Sequence, residues 1–486
     1  MKEIMKNAVL VGIHLPKISV QDFESSLQEL TRLVTTLGYH VVGQVTQKRD
    51  SDRSALVLGE GKLKELAMWT GGTGKIAPMV EHKLSKAAAK WKKAGEKTED
   101  EDDADTDADV DVTNIENENE NENNVSVKNE ESEESELIEK RKGSAQIVIV
   151  DTDLSPSQLR NLESASGVTV LDRTGVIIEI FSRHARTKAA RLQVEIARLT
   201  YVAPRLRETG GGEDRQGGGV GGKGAGESSL ELDRRKIRDR IKELKIELES
   251  IGNEHQVRRA RREQELSVAL VGYTNAGKSS LMRAMTGSEV LVADKLFATL
   301  DTTVRPIFPE TRPKVLLSDT VGFIKKLPHD LVASFKSTLD EALNASLLLF
   351  VVDASDPSFR SQLEVTKGVL NEVGANDVPS LLVLNKRDQL SEDQMSTLQL
   401  EFPDAVLIST RNKEDLQNLR NKIMSYFEKD MLDEDLFIPY TVQGVVGEVR
   451  SKMRVLKETY NETGVTLTVR SSEELLSQIK KKLKSS

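Results

Sequence analysis

Residues 266–285 read LSVALVGYTNAGKSSLMRAM, and this stretch decides the fold of the central part of the chain. An apolar run that suits a buried strand leads into GYTNAGKS, which fits the pattern G-x-x-x-x-G-K-[ST], and a helix-like run follows. Strand, loop and helix in this order are typical of a P-loop, in which backbone N–H groups and the helix N-terminus surround phosphate oxygens. The stretch therefore predicts an α/β domain that binds a nucleotide.

Two residues of this loop have specific expected roles. Lys278 would bridge the β- and γ-phosphates, and the hydroxyl of Ser279 would ligate Mg²⁺. The remaining loop residues expected around the phosphates are Gly272, Tyr273, Thr274, Asn275, Ala276 and Gly277.

P-loops bind ATP and GTP alike, so the base must be recognised elsewhere in the chain. LLVLNKRD places Asn385, Lys386, Arg387 and Asp388 after a predicted strand, with Asn385 107 residues beyond Lys278. An aspartate can accept hydrogen bonds from N1–H and the 2-amino group of guanine, which adenine cannot offer. A second segment, Ser409, Thr410 and Arg411, would close over the base from the far side. The pattern predicts GTP and GDP as the bound nucleotides.

VLLSDTVGF, between these motifs, is the predicted sensor of the γ-phosphate. Asp319 ends a strand, where it would hold Mg²⁺ through water, and Gly322 would offer its backbone N–H to the γ-phosphate. Thr320 and Val321 lie between them and belong to the same predicted site.

FATLDTT, residues 297–303, is the candidate first switch. A threonine hydroxyl there can ligate Mg²⁺ only while a γ-phosphate holds the loop closed. Spacing alone leaves Thr299, Thr302 and Thr303 as alternatives. The other switch residues of the predicted site are Phe297, Ala298, Leu300 and Asp301.

Charge is distributed unevenly along the 486 residues. Residues 96–142 carry twenty acidic and five basic side chains, a net charge of −15, so the rest of this −9 chain is +6. The part of the chain that can fold is therefore mildly basic, which is compatible with an anionic partner such as RNA.

Cysteine is absent, which excludes disulfides and thiolate chemistry. No signal peptide and no apolar run of ~18–20 residues is evident, so we expect a cytoplasmic protein.

The N-terminal part has an α/β pattern. Apolar runs predict strands at 8–15 and 39–45, and helical spacing predicts a helix over 20–37. The acidic stretch then interrupts the pattern, which resumes with the strand AQIVIVD at Ala145. We expect one domain, 1–209, interrupted by a disordered insert at about 95–143. The insert is either a solvated loop or a tail that competes with RNA for a basic surface.

A glycine-rich loop and a helical region follow. Residues 210–226 include ten glycines. Beyond them, Leu230, Ile237, Ile241, Leu244, Leu248 and Ile251 form a heptad seam. A break at Gly252 and Asn253 predicts a turn and a returning basic helix. An antiparallel helical hairpin over 210–264 is thus favoured over a long dimeric coiled coil. A P-loop domain over 265–430 and a small α+β domain over 431–486 complete the expected organisation.

The sequence resembles the HflX family of ribosome-associated GTPases. GYTNAGKS, LFATLDTT, DTVGFIKKLPHDLVASFKSTLDEAL and NKRD resemble the GTPase domain of that family. LSPSQLRNLE, DRTGVIIEIFSRHARTKAARLQVEIARLTYVAPRL and GESSLELDRRKIRDRI resemble its N-terminal domain. The resemblance covers most of the chain except the acidic insert and weakens after about Asp430. It implies that Thr299 is the switch threonine and ligates Mg²⁺.

Hydrolysis is expected to be slow in the free protein. Many GTPases place a water-orienting glutamine after the glycine of D-x-x-G, and this chain has Phe323 there. Asn275 is either a residue tolerated in a tight loop or, as in related GTPases, one that helps to hold a potassium ion.

The resemblance implies a monomeric, GTP-switched factor that binds the large (50S) ribosomal subunit and its RNA. Ribosome splitting, rescue of stalled ribosomes and ribosome biogenesis are the implied roles. A nucleotide-driven RNA-remodelling enzyme is the alternative; DNA and membranes are not expected partners.

Overall fold

A computed structural model describes residues 6–51, 54–76, 143–206, 229–260, 266–287, 296–297, 302–326, 342–375, 377–442 and 444–485. The glycine-rich loop, the switch residues 298–301 and the acidic insert, apart from Gly143, lie outside these ranges. Three sheets with their flanking helices form the described part. The predicted α/β architecture with a P-loop unit is confirmed.

The first sheet is wholly parallel, with the strand order β2-β1-β3-β4. Its strands and helices are β1 (Lys6–His14), α1 (Val20–Thr36), β2 (Tyr39–Lys48), α2 (Glu60–Thr70), β3 (Ile147–Val150), α3 (Pro156–Ser166), β4 (Thr169–Asp172) and α4 (Arg173–His184). β1 and β3 are buried on both faces, as strands of a parallel sheet covered by helices are. Since β3 pairs directly with β1, the segments before and after the acidic insert build one sheet.

An antiparallel pair of helices follows, α5 (Lys188–Val202) and α6 (Ser229–Ala260). Lys188 pairs with Glu247 at 2.6 Å and Glu195 with Arg240 at 3.2 Å, which sets the antiparallel direction. The predicted heptad seam contributes Leu244, which is fully buried against Leu192 and Ile196 of α5.

The turn predicted at Gly252 and Asn253 is wrong, because α6 continues through both residues. A glycine inside a helix costs only about 1 kcal/mol relative to alanine, which packing along a long seam can offset. The partner of α6 is α5, so the two arms of the helix pair are separated in the chain by the glycine-rich loop.

The second sheet has six strands in the order β10-β9-β8-β5-β7-β6, and only β6 is antiparallel to its neighbour. Its strands and helices are β5 (Leu266–Val271), α7 (Lys278–Thr286), β6 (Thr303–Pro306), β7 (Val315–Asp319), β8 (Leu347–Asp353), α8 (Phe359–Val373), β9 (Ser380–Asn385), α9 (Glu392–Glu401), β10 (Val406–Leu407) and α10 (Lys413–Glu428). The carboxyl ends of β5, β7, β8 and β9 meet at one edge, where ligands of such sheets bind.

The third sheet is antiparallel, in the order β11-β13-β12. It consists of β11 (Leu432–Pro439), β12 (Arg454–Tyr460) and β13 (Gly464–Ser471), with α11 (Val445–Lys452) and α12 (Glu473–Ser485). A small apolar cluster that includes Leu436, Val449 and Leu467 lies between the sheet and its helices. The α+β character is as predicted, although β12 is an exposed strand without apolar alternation and was not predicted.

One apolar core connects the first two sheets. It contains Leu30 of α1 and Phe181 of α4 together with Tyr273, Phe297 and Phe323. The rings of Phe181 and Phe297 meet edge to face with centroids 4.6 Å apart. The first and second sheets are therefore joined through this core, in which α1 and α4 of the first sheet meet Tyr273, Phe297 and Phe323 beside the second.

Candidate nucleotide-binding site

The P-loop lies between the end of β5 and the first residue of α7. Gly277 precedes the helix with a φ of 97°, and a Cβ there would lie 2.2 Å from the side-chain amide of Asn385. Asn275 adopts a left-handed φ of 62° within the loop. The chain turns sharply around a space toward which the N-terminus of α7 points, the arrangement that binds phosphate groups.

Lys278 is buried at the centre of this loop. Its Nζ donates to the carbonyls of Gly272 at 3.0 Å and Tyr273 at 2.8 Å. Burial lowers the pKa of Lys278 to about 8, and the negative charge of Asp319 opposes that shift. A buried ammonium held only by carbonyl dipoles and one carboxylate is well placed to take up a phosphate group.

Ser279 and Asp319 provide the oxygen atoms that a magnesium ion would need. The Ser279 hydroxyl donates to Asp319 at 2.7 Å, and Asp319, the last residue of β7, is fully buried. Hydroxyl and carboxylate oxygens are the hard ligands that Mg²⁺ prefers, with phosphate oxygens and water completing its shell. The residues present fit the ion. Within the described ranges, no cluster of three or more acidic, histidine or cysteine side chains forms a separate metal site.

The segment after Asp319 lies on the P-loop. The Thr320 hydroxyl donates to the carbonyl of Leu270 at 2.7 Å. Phe323 donates its backbone N–H to Gly272 at 3.1 Å, and its carbonyl accepts from Thr274 at 2.8 Å. The Phe323 ring is buried in the shared core. The backbone of Phe323, and not its side chain, therefore borders the phosphate loop.

Gly322 lies close to the buried lysine. A Cβ at Gly322 would be 2.9 Å from Lys278 Nζ and 2.9 Å from Thr274 Cα. Only glycine fits there without displacing the P-loop. Val321, the residue before it, is buried.

The base-reading residues also converge on the P-loop. Asn385 is 1% exposed, and its side-chain amide donates to the carbonyl of Ala276 at 2.9 Å. Asp388 accepts from the Ser409 hydroxyl at 2.7 Å and lies 3.5 Å from the Arg411 guanidinium. Arg387 donates its backbone N–H to Ile408 at 3.0 Å. The two segments predicted to border guanine are thus adjacent, with Thr410 between Ser409 and Arg411.

Two acidic residues of this edge were missed by sequence reasoning. Asp353 ends β8 and pairs with Lys386 of the base-reading motif. Asp415 accepts from the backbone N–H of Ser409 and from Arg387, at 2.8 and 2.9 Å. A sequence pattern could have identified Asp353, since this aspartate directly follows the apolar run LLLFVV at the carboxyl end of a strand. No such pattern marks Asp415, because it lies in an ordinary polar helix.

The switch region is described only in part. Thr299, Ala298, Leu300 and Asp301 lie outside the described residues, so the structure does not place them. Thr303 opens β6 directly opposite Asp319. Phe297 is buried against Phe181 in the shared core, so its ring is not brought to the phosphate loop.

A cleft of about 620 Å³ lies in front of the P-loop, with α1 of the first sheet as one wall. Glu29 and Arg32 line it from α1, Thr274 and Asn275 from the P-loop, and Lys386 from the base-reading motif. The position of α1 at this cleft was not predicted from the sequence, because a contact between distant segments of the chain leaves no local sequence pattern.

The comparisons with known proteins agree with this geometry. Three family models match: "GTP-binding GTPase N-terminal" at residues 24–90 and 106–182, "GTP-binding GTPase Middle Region" at 184–262 and "50S ribosome-binding GTPase" at 267–386. A GTPase HflX of Gluconacetobacter diazotrophicus is 53% identical over 98% of this chain and 97% of its own. A GTPase HflX of Caldanaerobacter subterraneus is 35% identical over 99% and 93%, respectively.

The fold and the site define a P-loop GTPase. The chain belongs to the HflX family of GTPases. A GTP-binding protein from Sulfolobus solfataricus, solved in complex with GDP, aligns at 23% identity with a TM-score of 0.39, covering 87% of this chain and 98% of that one. In the part of the chain that the structure covers, no helix is both long and apolar enough to cross a membrane.

Proposed function

We propose that this GTPase binds GTP and GDP at the edge formed by β5, β7, β8 and β9, and that it acts on the large ribosomal subunit. One observation carries the assignment of the site. Buried Lys278, the Ser279–Asp319 pair and Asn385 all lie at one P-loop. Asp388 follows Asn385 by three residues and accepts from Ser409.

Each residue has a proposed role in binding or hydrolysis. Lys278 holds the β- and γ-phosphates, and the N–H of Gly322 approaches the γ-phosphate. Ser279 and Asp319 hold Mg²⁺, directly and through water, and Thr299 completes its ligands in the GTP state. The ion supplies positive charge where negative charge develops on the phosphate oxygens. Asp388 accepts from the guanine edge, and Ser409, Thr410 and Arg411 border the base.

Hydrolysis in the free protein is proposed to be slow. The residue in the position of the water-orienting glutamine is Phe323, whose apolar ring is buried in the shared core. Water must therefore be oriented by the backbone, an ion or a partner. We propose a potassium ion beside Asn275 and the ribosomal surface as the two activating elements.

The large ribosomal subunit and its RNA are the proposed partner. The match of residues 267–386 to the "50S ribosome-binding GTPase" model supports it, as does the net charge of +6 outside the acidic stretch. Splitting of ribosomes, rescue of stalled ribosomes or biogenesis would be the setting. We further propose a cytoplasmic monomer with domain bounds at 209, 264 and 430.

Phosphate release with and without purified large subunits tests this proposal. We expect subunits to raise the rate of GTP hydrolysis at least ~10-fold, which is about 1.4 kcal/mol of barrier. The stimulation should fall as salt rises, because contacts to RNA phosphates release counterions. Lys278→Ala is the control that should abolish turnover in both arms.

Three outcomes bear on separate parts of the proposal. Equal rates with and without subunits, across the salt range, would show that ribosomes are not the activator. Equal rates in potassium and sodium would remove only the ion beside Asn275. ATP-driven unwinding of an RNA duplex would favour the RNA-remodelling alternative.

A further inference from the structure

A closed ring of polar contacts joins the first sheet to the P-loop and to the segment that follows Gly322. The bridging ring consists of Glu29, Asp151, Arg173, Tyr273, the backbone N–H of Lys325 and the side chain of Lys326. Arg173 donates to Glu29 and, at 2.8 Å, to Asp151. Lys326 Nζ pairs with Asp151 at 2.9 Å.

Tyr273 closes the ring on the P-loop side. Its hydroxyl donates to Glu29 and accepts the backbone N–H of Lys325 at 2.6 Å. Burial, together with the negative charge of Glu29, raises the pKa of Tyr273 well above its ordinary value. The protonated hydroxyl donates to Glu29, and its oxygen accepts from the backbone N–H of Lys325.

The ring is balanced in charge and largely buried, with Lys326, at 40% exposure, as its most exposed side chain. Arg173 and Asp151 are 1% and 2% exposed, and Glu29 is 12% exposed. Two cations face two carboxylates, and the Ser26 hydroxyl adds a bond of 2.6 Å to Asp151. A network in which each charge is paired and further hydrogen-bonded restricts the orientation of its members, and Lys326 also donates to the Asp151 carbonyl at 3.0 Å.

Lys325 and Lys326 come directly after the segment that contains Gly322. That segment is fixed at one end by the backbone bonds between Phe323 and the P-loop. At its other end the bridging ring holds it, through one backbone N–H and one ammonium group. Glu29 of α1 is therefore linked, through the Tyr273 hydroxyl, to the backbone three residues beyond Gly322.

We propose that Glu29 acts through the Tyr273 hydroxyl as a positioning residue for GTP hydrolysis, holding Gly322 where its N–H meets the γ-phosphate. This inference rests on the proposed function, in which Gly322 and Lys278 share that phosphate. GDP has no γ-phosphate, so the bridging ring should matter for GTP and its turnover and not for GDP.

Tyr273→Phe is the primary test, because it removes one hydroxyl and keeps every charge. We expect kcat for GTP hydrolysis to fall at least about fivefold, while the Kd for GDP stays within about twofold. A purely structural role would change both together. Glu29→Gln keeps an acceptor for the hydroxyl and should lose less activity than Glu29→Ala.

Two further measurements complete the design. Adding Glu29→Ala to Tyr273→Phe should lower kcat no further than the larger single effect, because both act through one bond. Glu24→Ala, at an exposed position of the same helix, is the matched control and should behave as the wild type. Melting temperatures of all variants identify any loss of kcat that stems from unfolding.

Failure of this inference can be told apart from failure of the proposed function. If the wild type binds GDP and hydrolyses GTP, and Tyr273→Phe does so with an equal or higher kcat, the positioning role is overturned alone. A parallel loss of GDP affinity and kcat overturns it as well. A wild type that neither binds GDP nor hydrolyses GTP overturns the proposed function, and this inference with it.

Discussion

The side-chain amide of Asn385 donates to the backbone carbonyl of Ala276 at 2.9 Å. Asn385 belongs to the predicted base-reading motif and Ala276 to the P-loop, so one hydrogen bond joins these two segments of the candidate site. The contact is tight, since a Cβ on neighbouring Gly277 would lie 2.2 Å from the same amide nitrogen. The two segments are therefore in close contact at this point.

Asn385→Ala should weaken GTP and GDP binding equally. The substitution leaves the carbonyl of Ala276 without this donor, at a cost of about 1–3 kcal/mol, or about 5- to 150-fold in Kd. Titration with fluorescent GDP and a GTP analogue measures both affinities. Asn371→Ala, at an exposed position of α8, is the control. Unchanged affinity in Asn385→Ala would show that the bond does not support the loop.

Asp388→Asn should shift the preference from guanine toward xanthine nucleotides. Xanthine carries a 2-oxo group that an amide N–H can meet, whereas guanine needs two acceptors. Competition among GTP, XTP and ATP measures the shift. Ser409→Ala removes the 2.7 Å bond to Asp388 but should keep the guanine preference. If ATP displaced GTP from the wild type at equal concentration, the assignment of the base would be wrong.

GDP affinity should fall as pH rises through the pKa of Lys278. That pKa is lowered to about 8 by burial, and a phosphate group binds the protonated amine. We expect GDP binding about tenfold weaker at pH 9 than at pH 7. Isothermal titration calorimetry across this pH range measures the GDP affinity. Lys278→Ala should bind GDP weakly, and its affinity should lack the part of the pH dependence that comes from the lysine. A flat profile for the wild type would contradict the prediction.

Stability without nucleotide should change in the opposite direction. Between about pH 8 and the ordinary lysine value of 10.5, the folded chain has released a proton that the unfolded chain keeps. Lys278 therefore makes the free energy of unfolding increase with pH in this window. The difference in urea stability between the wild type and Lys278→Ala isolates this contribution. A difference that does not vary with pH would contradict it.

Deletion of residues 96–139 should leave the melting temperature and the GDP affinity essentially unchanged. The chain returns to the first sheet at Gly143, whose N–H donates to Met68 at 2.7 Å, and Ala145 donates to Trp69 at 3.0 Å. These contacts anchor the returning chain on α2 without the deleted residues. A fall of many degrees in the melting temperature would contradict the prediction. Tighter RNA binding after deletion would indicate that the tract shields a basic surface.

Local patterns predicted most of the residues that the structure brings to the edge of the candidate site. Lys278, Asp319, Asn385 and Asp388 each follow or end a strand, and parallel strands bring their carboxyl ends together. The helix over α1 and the strand β3 were predicted as well, because apolar periodicity marks them directly. Motif spacing and the period of apolar residues therefore suffice to predict which residues come together when this depends only on the order of the strands.

Contacts between distant segments were not predictable from those patterns. Glu29 is an ordinary polar residue of an amphipathic helix, and its meeting with Tyr273 depends on how two sheets pack. The break predicted at Gly252 is wrong, because α6 continues through it directly after Ile251, the last residue of the seam with α5. Neither the Glu29–Tyr273 contact nor the continuation of α6 through Gly252 follows from local residue preferences.

The apolar core shared by the first two sheets has a practical consequence for dissection of the molecule. A fragment beginning at Leu266 would retain Tyr273 and Phe323 but lose Leu30 and Phe181, their neighbours in that core. Aromatic surface that the full chain keeps dry would face water, and such patches promote self-association. Rates measured on the fragment would therefore be affected by self-association. GTPase assays should use the whole 486-residue chain.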